Sequence, residues 1–487
     1  MKRLLIAVFA GLGLLTVVVL VRTFLHVPEN SEAVEHVMIQ LDERAIAQRL
    51  SEAIQFQTVS HQDPSLRDQK AFDDFILWMG NSYPDVQNNL SHERYGDTVL
   101  YFWQGSNPEL QAILLTGHYD VVPVIPGTES LWEHPPFSGE IADGVIWGRG
   151  ALDDKSAVIA MLEGVKHLIE SGFKPERSVY LSFGHDEELG GPNGAGQVAA
   201  ALKKKGVQLA WSLDEGSFVM DDMVPGINFL VAPINVAEKG SISLQIVALA
   251  KGGHSSAPPR QTAVGILAEA ITKLEQHPVP GGLEGLSLQM FDEVSRYMPF
   301  VPKVFFANLW LFDGVLDKQL SGDGLTNAML RTTTAPTMLS ASIKSNVLPI
   351  EAIALVNFRL HPRDSVDDLV SYVKSVVENE NVEVRYQEGS GRAASEVSSW
   401  DAEGFRVVER AIKEIYPGTV VTPGLMIAGS DSRHYGKVAD NAYRFNPFIL
   451  TKKDFAGFHG TNEQISVENL SRGVQAYIQI IKHGAGE

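Results

Sequence analysis

Asp186, Glu187 and Glu188 stand in a row in the stretch SFGHDEELGG, residues 182 to 191. No Lys or Arg in the stretch neutralises them, and they end an apolar run that reads as a buried strand. Acids in a first helical turn would face the positive end of the helix dipole. Here the break Gly190-Gly191-Pro192 separates them from the helical pattern NGAGQVAAALKKKG that follows. Similar groups recur at other predicted strand ends: His118 and Asp120 in TGHYD, Asp153 and Asp154 in GRGALDDK, Asp214 in SLDEGS, and His459 in GFHGTNEQI. Singly each is weak, because a lone His near a strand end is more often a hydrogen-bonded structural residue. Gathered at one rim, the carboxylates would repel one another unless divalent cations relieved them. The chain has no cysteine, so a metal would be held by His, Asp and Glu, a donor set suited to zinc, manganese or a similar ion in a catalytic setting.

The elements that must position these groups alternate. Short apolar runs, TVLYFWQ, AILLTGHYD, SVYLSFGHDEE and LAWSLDEG, are separated by helical patterns such as DDKSAVIAMLEGVKHLIESG, with Gly172 as its stop signal. Before them, the spacing of Val37, Ile39, Leu41, Ile46, Leu50 and Ile54 predicts an amphipathic helix from His36 to Ile54, and KAFDDFILWMG a second. Strands alternating with helices imply an α/β sheet of parallel strands, whose ligands bind beyond the carboxyl ends of the strands. From about Glu238 the texture changes. GSISLQIVALAKGG and EAIALVNFRLHP alternate like half-exposed antiparallel strands, and TAVGILAEAITKLEQ and SVDDLVSYVKSVVE read as helices. This order predicts an inserted ferredoxin-like α+β lid over 238–392, itself carrying an aromatic-rich insert at 278–335. The flanking parts, 27–237 and 393–487, form one α/β domain.

Composition narrows the partners. A net charge of −19 argues against nucleic acid, which needs clustered Lys and Arg. Lys2 and Arg3 precede an uninterrupted 18-residue apolar run, Leu4 to Val21. That length is at the low end for crossing a bilayer and longer than a usual signal core. Residues 1–26 therefore read as an uncleaved signal anchor, with a cleaved signal peptide as the alternative, followed by a polar linker at 27–36. The positive flank places the rest of the chain outside the cytoplasm, periplasmic or extracellular.

Taken in order, GHYDVVPV, WGRGALDDK, GHDEELGG, GGHSSAPP and HGTNE resemble the co-catalytic di-zinc aminoacylase and carboxypeptidase family. That family includes carboxypeptidase S, glutamate carboxypeptidase and the succinyl-diaminopimelate desuccinylases. The resemblance covers nearly the whole chain beyond the anchor. It is nearest in texture to the carboxypeptidase S branch, with its secreted relatives that make and hydrolyse N-fatty-acyl amino acids. It implies a zinc-exopeptidase-like three-layer catalytic domain with the lid, and two zinc ions per chain. His118 and Asp214 would hold one zinc, Glu188 and His459 the other, and Asp153 would bridge both. Asp120 would orient the His118 imidazole, and Glu187 would be the general base. The Asp153-Asp154 peptide would be cis.

The resemblance also implies that His254, Asn346, Arg359, Gly429 and Ser430 bind the substrate. Asn357, two before Arg359, stands where the family has an acid. The implied substrate is a small N-acyl amino acid or a short peptide. The activity is hydrolysis of the amide to the C-terminal amino acid, or its reversal as synthesis. Carboxypeptidase action on peptides is the alternative, and a non-catalytic metal-dependent binder is disfavoured by the presence of Glu187 beside Glu188. A homodimer is one arrangement the family allows. The aromatic insert, with Phe305, Phe306 and Trp310, reads either as a greasy acyl groove or as packing on the lid.

Overall fold

A computed structural model describes residues 1–28, 34–223, 227–386 and 391–486; part of the expected linker, residues 29–33, lies outside the described residues. The chain divides into two compact units. The larger comprises residues 28–236, 398–426 and 430–487, and the smaller comprises 1–27, 237–397 and 427–429.

In the larger unit, a sheet of eight strands among the described residues runs in the order Ser91–Tyr95, Thr98–Trp103, Val179–Gly184, Ile113–His118, Trp211–Met220, Ala442–Leu450, Val231–Glu238 and Val420–Met426. Ile113–His118 is buried along its whole length, as a strand covered on both faces must be. One helical layer holds Glu43–Gln55, Lys155–Glu170, Glu403–Ile415 and Val467–Ala485. The opposite face of the sheet buries Leu100 and Leu114 against Ala195, Val198 and Leu202 of the helix Ala195–Lys204. The result is the three-layer α/β arrangement expected.

Two expectations need correction. The sheet is mixed rather than parallel: Val179–Gly184, Ile113–His118, Trp211–Met220 and Ala442–Leu450 pair in parallel, whereas Ser91–Tyr95 and Thr98–Trp103 join as an antiparallel hairpin edge. The turn at Gly96 (φ 61°) makes that hairpin. The first amphipathic helix begins at Glu43, not His36. Asp42 caps it by accepting from the Ala45 N–H. Upstream, the Val37 N–H donates to the Glu414 carbonyl and the Ile39 N–H to Gln475 Oε1, so that segment is held by non-helical bonds.

In the smaller unit a four-stranded antiparallel sheet runs Thr333–Ser340, Glu351–Leu360, Gly240–Leu249, Val382–Tyr386. Ile242, Leu244 and Ile246 alternate inward and pack with Ile266, Leu267, Ala270, Leu369 and Val373 of the helices Ala263–Gln276 and Val366–Val377. The aromatic insert is helical, with Gly285–Ser295, Phe300–Phe306, Leu309–Leu320 and Gly324–Leu330. It has its own core of Leu283, Met290, Phe291, Phe306, Leu316 and Leu330. Phe306 is thus a packing residue of the insert rather than a wall of an open acyl groove, while Trp310 is 55% exposed. The helix Lys2–Leu25, mean hydropathy 3.0, is long and apolar enough to cross a membrane.

Candidate active site

The carboxyl ends of the parallel strands deliver the charged groups. His118 is the last residue of Ile113–His118, and Glu187 opens a 3₁₀ turn, Glu187–Leu189, just past Val179–Gly184. Asp153 and Asp154 precede the helix Lys155–Glu170, and their peptide is cis. His459 lies in the loop before Gln464–Ser466 with φ 54°, a left-handed conformation uncommon for a side-chain-bearing residue.

Asp153 is the centre of the cluster. Its Oδ1 lies 3.0 Å from His118 Nε2 and its Oδ2 lies 2.8 Å from His459 Nε2. Glu188 Oε2 is 3.6 Å from the same His459 nitrogen. The His118 ring is oriented chiefly by main chain: Nδ1 is 2.9 Å from the Asp120 carbonyl oxygen and 3.4 Å from the Asp120 carboxylate. With a metal ion bound, a proton on Nδ1 directed at that carbonyl would leave the Nε2 lone pair for the ion. The Asp120 carboxylate is otherwise engaged, accepting from the N–H groups of Glu187 (3.2 Å) and Glu188 (3.2 Å) and from the Ser60 hydroxyl (2.6 Å). Asp120 therefore ties the acidic turn to the strand that carries His118. Asp186 accepts from the Asn193 N–H, a structural bond within the turn.

Asp214 is buried, accepts from the Glu215 N–H and has its other oxygen without a partner. Its neighbour Glu215 brings Oε1 to 3.5 Å from His118 Nε2. Sequence reasoning did not single out Glu215, although it stands in the same SLDEGS motif. Opposite Asp214 the strand pairing jumps, Arg444 matching Asp214 and Phe445 matching Ser217. This irregularity breaks the simple alternation that would send adjacent residues to opposite faces.

Electrostatics set the cluster apart. Burial first, then the neighbouring Glu215, pushes the Glu187 carboxyl well above its ordinary range. Burial and then Asp153 raise Glu188 to about 7, and burial raises Glu215 to about 7 and Asp214 to about 6. Asp153 goes the other way: burial opposes its ionisation, but hydrogen bonds from His118 and His459 hold it low. Lys155, next to the acids in sequence, does not neutralise them, because its Nζ donates to the carbonyls of Ala53 and Phe56. Glu188 Oε1 and Asp214 Oδ2 are buried without a hydrogen-bond partner. Unpartnered buried oxygens and crowded like charge around two imidazoles, with nitrogen and oxygen donors only, fit divalent cations.

The remaining predicted residues belong to both units. Ser430, in the larger unit, is buried and accepts from the Ser432 N–H. In the smaller unit, His254 is exposed on the short strand Gly253–His254, with Nδ1 2.8 Å from Ser256 Oγ. Asn346 is exposed in the loop before Val347–Leu348, and Arg359 is exposed on Glu351–Leu360. Gly429 lies against the Arg392 guanidinium, 2.5 Å from where a Cβ would stand, so a side chain there would force Arg392 to move.

The model of Peptidase family M20/M25/M40 matches residues 114–483 of this chain. The chain is 38% identical to the N-fatty-acyl-amino acid synthase/hydrolase of Xenopus tropicalis, over 99% of this chain and 95% of that protein. It is 38% identical to a probable carboxypeptidase S-like protein of Dictyostelium discoideum, over 91% and 86% of the two chains, and 30% identical to carboxypeptidase S of Saccharomyces cerevisiae, over 86% and 81%. The chain belongs to the M20 peptidase family. This M20 peptidase is accordingly a metal-dependent hydrolase of amide bonds. Its fold is that of an M20 family metallo-carboxypeptidase from Sulfolobus solfataricus (TM-score 0.63, 17% identity, covering 91% of this chain and 99% of that one).

One further residue of this M20 peptidase escaped the sequence reading. Glu463, inside the quoted HGTNE motif, is fully buried. Its Oε1 accepts from the N–H groups of Gly150, Leu152 and Asp153, and its Oε2 from Arg149 at 2.6 Å. It clamps the loop that presents Asp153. The only sequence signal was its place in a motif already chosen for His459.

Proposed function

We propose that this M20 peptidase hydrolyses N-acyl amino acids, reversibly, at a site holding two zinc ions. The observation that carries the two-ion reading is Asp153, whose two oxygens each face a different histidine. His118 and Asp214 would hold one ion, with Glu215 as a further candidate ligand on that side; Glu188 and His459 would hold the other; Asp153 would serve both. When bound, such ions lower the pKa of water and polarise the amide carbonyl. The chain's own residues supply the rest. Glu187, held to Asp120 through its main-chain N–H, is the proton carrier: it takes a proton from the attacking water and gives it to the leaving amine nitrogen. Asp120 fixes the position of the Glu187–Glu188 turn. Arg359 would take the substrate carboxylate in a bidentate ion pair, and His254, Asn346, Gly429 and Ser430 would hold the carbonyl and the amino-acid moiety.

The acyl preference rests on similarity to the Xenopus N-fatty-acyl-amino acid synthase/hydrolase across nearly the full length of both chains. Each buried methylene of the acyl chain would contribute about 0.8 kcal/mol. The helix Lys2–Leu25 would anchor the enzyme with both units outside the cytoplasm. Carboxypeptidase action is the second reading, supported by the names of the Dictyostelium and yeast relatives. A panel of N-acyl amino acids from acetyl to long-chain, tested below their micelle limits with zinc-loaded full-length protein beside C-terminal dipeptides, separates the two. The expected outcome is kcat/KM rising with acyl length. Turnover confined to the dipeptides would replace this reading with the carboxypeptidase one.

A further inference from the structure

The smaller unit contains an apolar surface that the reaction does not use. Tyr297, Phe300, Val301, Trp310, Leu311 and Val315 of the aromatic insert are between 40% and 66% exposed. From Tyr297 to Phe312 the chain carries a single charge, Lys303. A patch of large apolar side chains this dense marks a contact with a partner or a membrane.

The N-terminal helix identifies which. Lys2–Leu25 is exposed over most of its length; Leu15 and Val19 are half-buried, and Thr23 is buried against this insert. The Asn308 side-chain amide, fully buried, donates to the Val19 carbonyl and to the Thr23 hydroxyl, both at 3.2 Å. Arg22 Nε donates to the Ala307 carbonyl at 3.2 Å, and Arg296 donates to the Val27 carbonyl at 3.1 Å. The Phe24 and Phe300 rings meet with centroids 5.8 Å apart. These contacts set a depth. Val19 lies inside the apolar run Leu4 to Val21, six residues and so about 9 Å along the axis from Leu25. A helix that crosses a bilayer with that run in the hydrocarbon puts Val19 at the acyl boundary. The corner between Phe300–Phe306 and Leu309–Leu320, bonded to it, lies at the same level. Aromatic side chains with an apolar body and a polar edge, such as Tyr297 and Trp310, are those that settle at that boundary.

We infer that the insert is seated in the membrane: the exposed face around Phe300, Val301, Trp310 and Leu311 is immersed in the headgroup and upper acyl region of a phospholipid bilayer, docked on the spanning helix through Asn308 and Arg22. The helix and the insert form one lipid-facing platform. The smaller unit is thereby held at the membrane surface by two attachments rather than by a flexible tether. Within the helix the Thr23 hydroxyl donates to the Val19 carbonyl at 2.8 Å, and the Asn308 amide bonds to both members of that pair.

The absence of cysteine makes the test direct, because a single introduced Cys carries a unique label. Full-length Val301→Cys, Trp310→Cys and Leu311→Cys, with Leu77→Cys (64% exposed, in the larger unit) and Met338→Cys (66% exposed, in the smaller unit) as references, are labelled with an environment-sensitive fluorophore. Each is reconstituted in phosphatidylcholine vesicles containing nitroxide-bearing lipids. Labels at 301, 310 and 311 are expected to be blue-shifted and quenched by lipid nitroxide several-fold more than those at 77 and 338. They are expected to be protected from aqueous iodide to a similar degree. Labels at 301 and 310 as open to iodide as that at 77 would overturn the inference. Protection from iodide without lipid quenching would also overturn it and assign the face to a second copy of the chain. The three labelled positions lie on the outer surface of the insert rather than in its core, and retention of the thermal transition of the unlabelled protein shows that each variant is folded. None of these readouts depends on the substrate proposed above.

Discussion

The acidic rim of the larger unit and the outer face of the insert break the ordinary rule of burial in opposite senses. At the rim, charge is buried: Asp153, Asp154, Asp214 and Glu215 are nearly inaccessible to water, and Asp214 keeps an oxygen without a partner. On the insert, Val301 and Trp310 are left outside. Ionised groups withdrawn from water and apolar groups left in it both cost free energy, so each region implies a missing companion of matching chemistry. For the rim that companion is a divalent cation; for the insert it is lipid. A local excess of one polarity is thus informative about a ligand only when the surrounding fold has no compensating group. Lys155 illustrates the point, since a buried cation stands next to the acids in sequence yet is turned toward backbone carbonyls.

The comparison is broken most sharply at Glu187. Glu187→Gln removes a charge and a proton carrier while leaving every proposed ligand. It should lower kcat by about 10²–10⁴-fold with metal content unchanged, as read by steady-state kinetics beside metal analysis of the same preparation. Parallel loss of metal and activity would show that Glu187 is itself a ligand. Next in size is the scaffold behind the rim. Glu463→Ala leaves Arg149 and three backbone N–H groups buried without their acceptor. Removing one partner of a buried pair costs about 3–5 kcal/mol, so a large fall in the urea midpoint is expected. A surface residue such as Glu129 changed to Ala should leave that midpoint in place.

The smallest effect belongs to the insert. His361 is buried, with Nε2 3.2 Å from Ser287 Oγ of the insert helix Gly285–Ser295 and with Nδ1 accepting from Arg363. Burial first, then Arg363 and Lys239, lowers its pKa to about 3. The unfolded chain therefore binds the extra proton between the ordinary value near 6.5 and that of the folded form. The stability contribution of neutral His361 is present above the unfolded value and is lost as pH falls through the window. The slope cannot exceed one proton, about 1.4 kcal/mol per pH unit. Comparison of the wild type with His361→Asn by denaturant titration from pH 7 to pH 4 should show a shallower decline in the variant; identical slopes would remove His361 from the account.

Much of the candidate rim was legible because it is locally encoded. His118, Asp120, Glu187 and Glu188 sit directly at the carboxyl ends of strands, and an apolar run followed by acids displays that placement in the chain itself. The alternating half-buried strands of the lid were legible for the same reason, since a period of two is a local property. What was missed depended on register or distance. Bringing Glu215 toward His118 beside Asp214 depends on where the pairing jumps opposite Arg444. The hairpin edge of the large sheet had to be seen paired, and the start of the first amphipathic helix turned on carbonyls and side chains hundreds of residues away.

By itself, then, the sequence determined the chemistry on offer: donors of nitrogen and oxygen without sulfur, a doubled glutamate beside them, an apolar N-terminal segment and an aromatic insert. Those are properties of residue type and short-range spacing. Only the tertiary structure decided which of these groups meet. Asp153 acquires two histidines, one 35 residues before it and one far downstream. Glu463 closes on the backbone of the loop at 150–153, and Asn308 on a helix 285 residues earlier. Such pairings are fixed by chain reversals and by the packing of separate elements, and their energies are recovered only after loop closure has brought the partners together. No local window of the sequence contains that information.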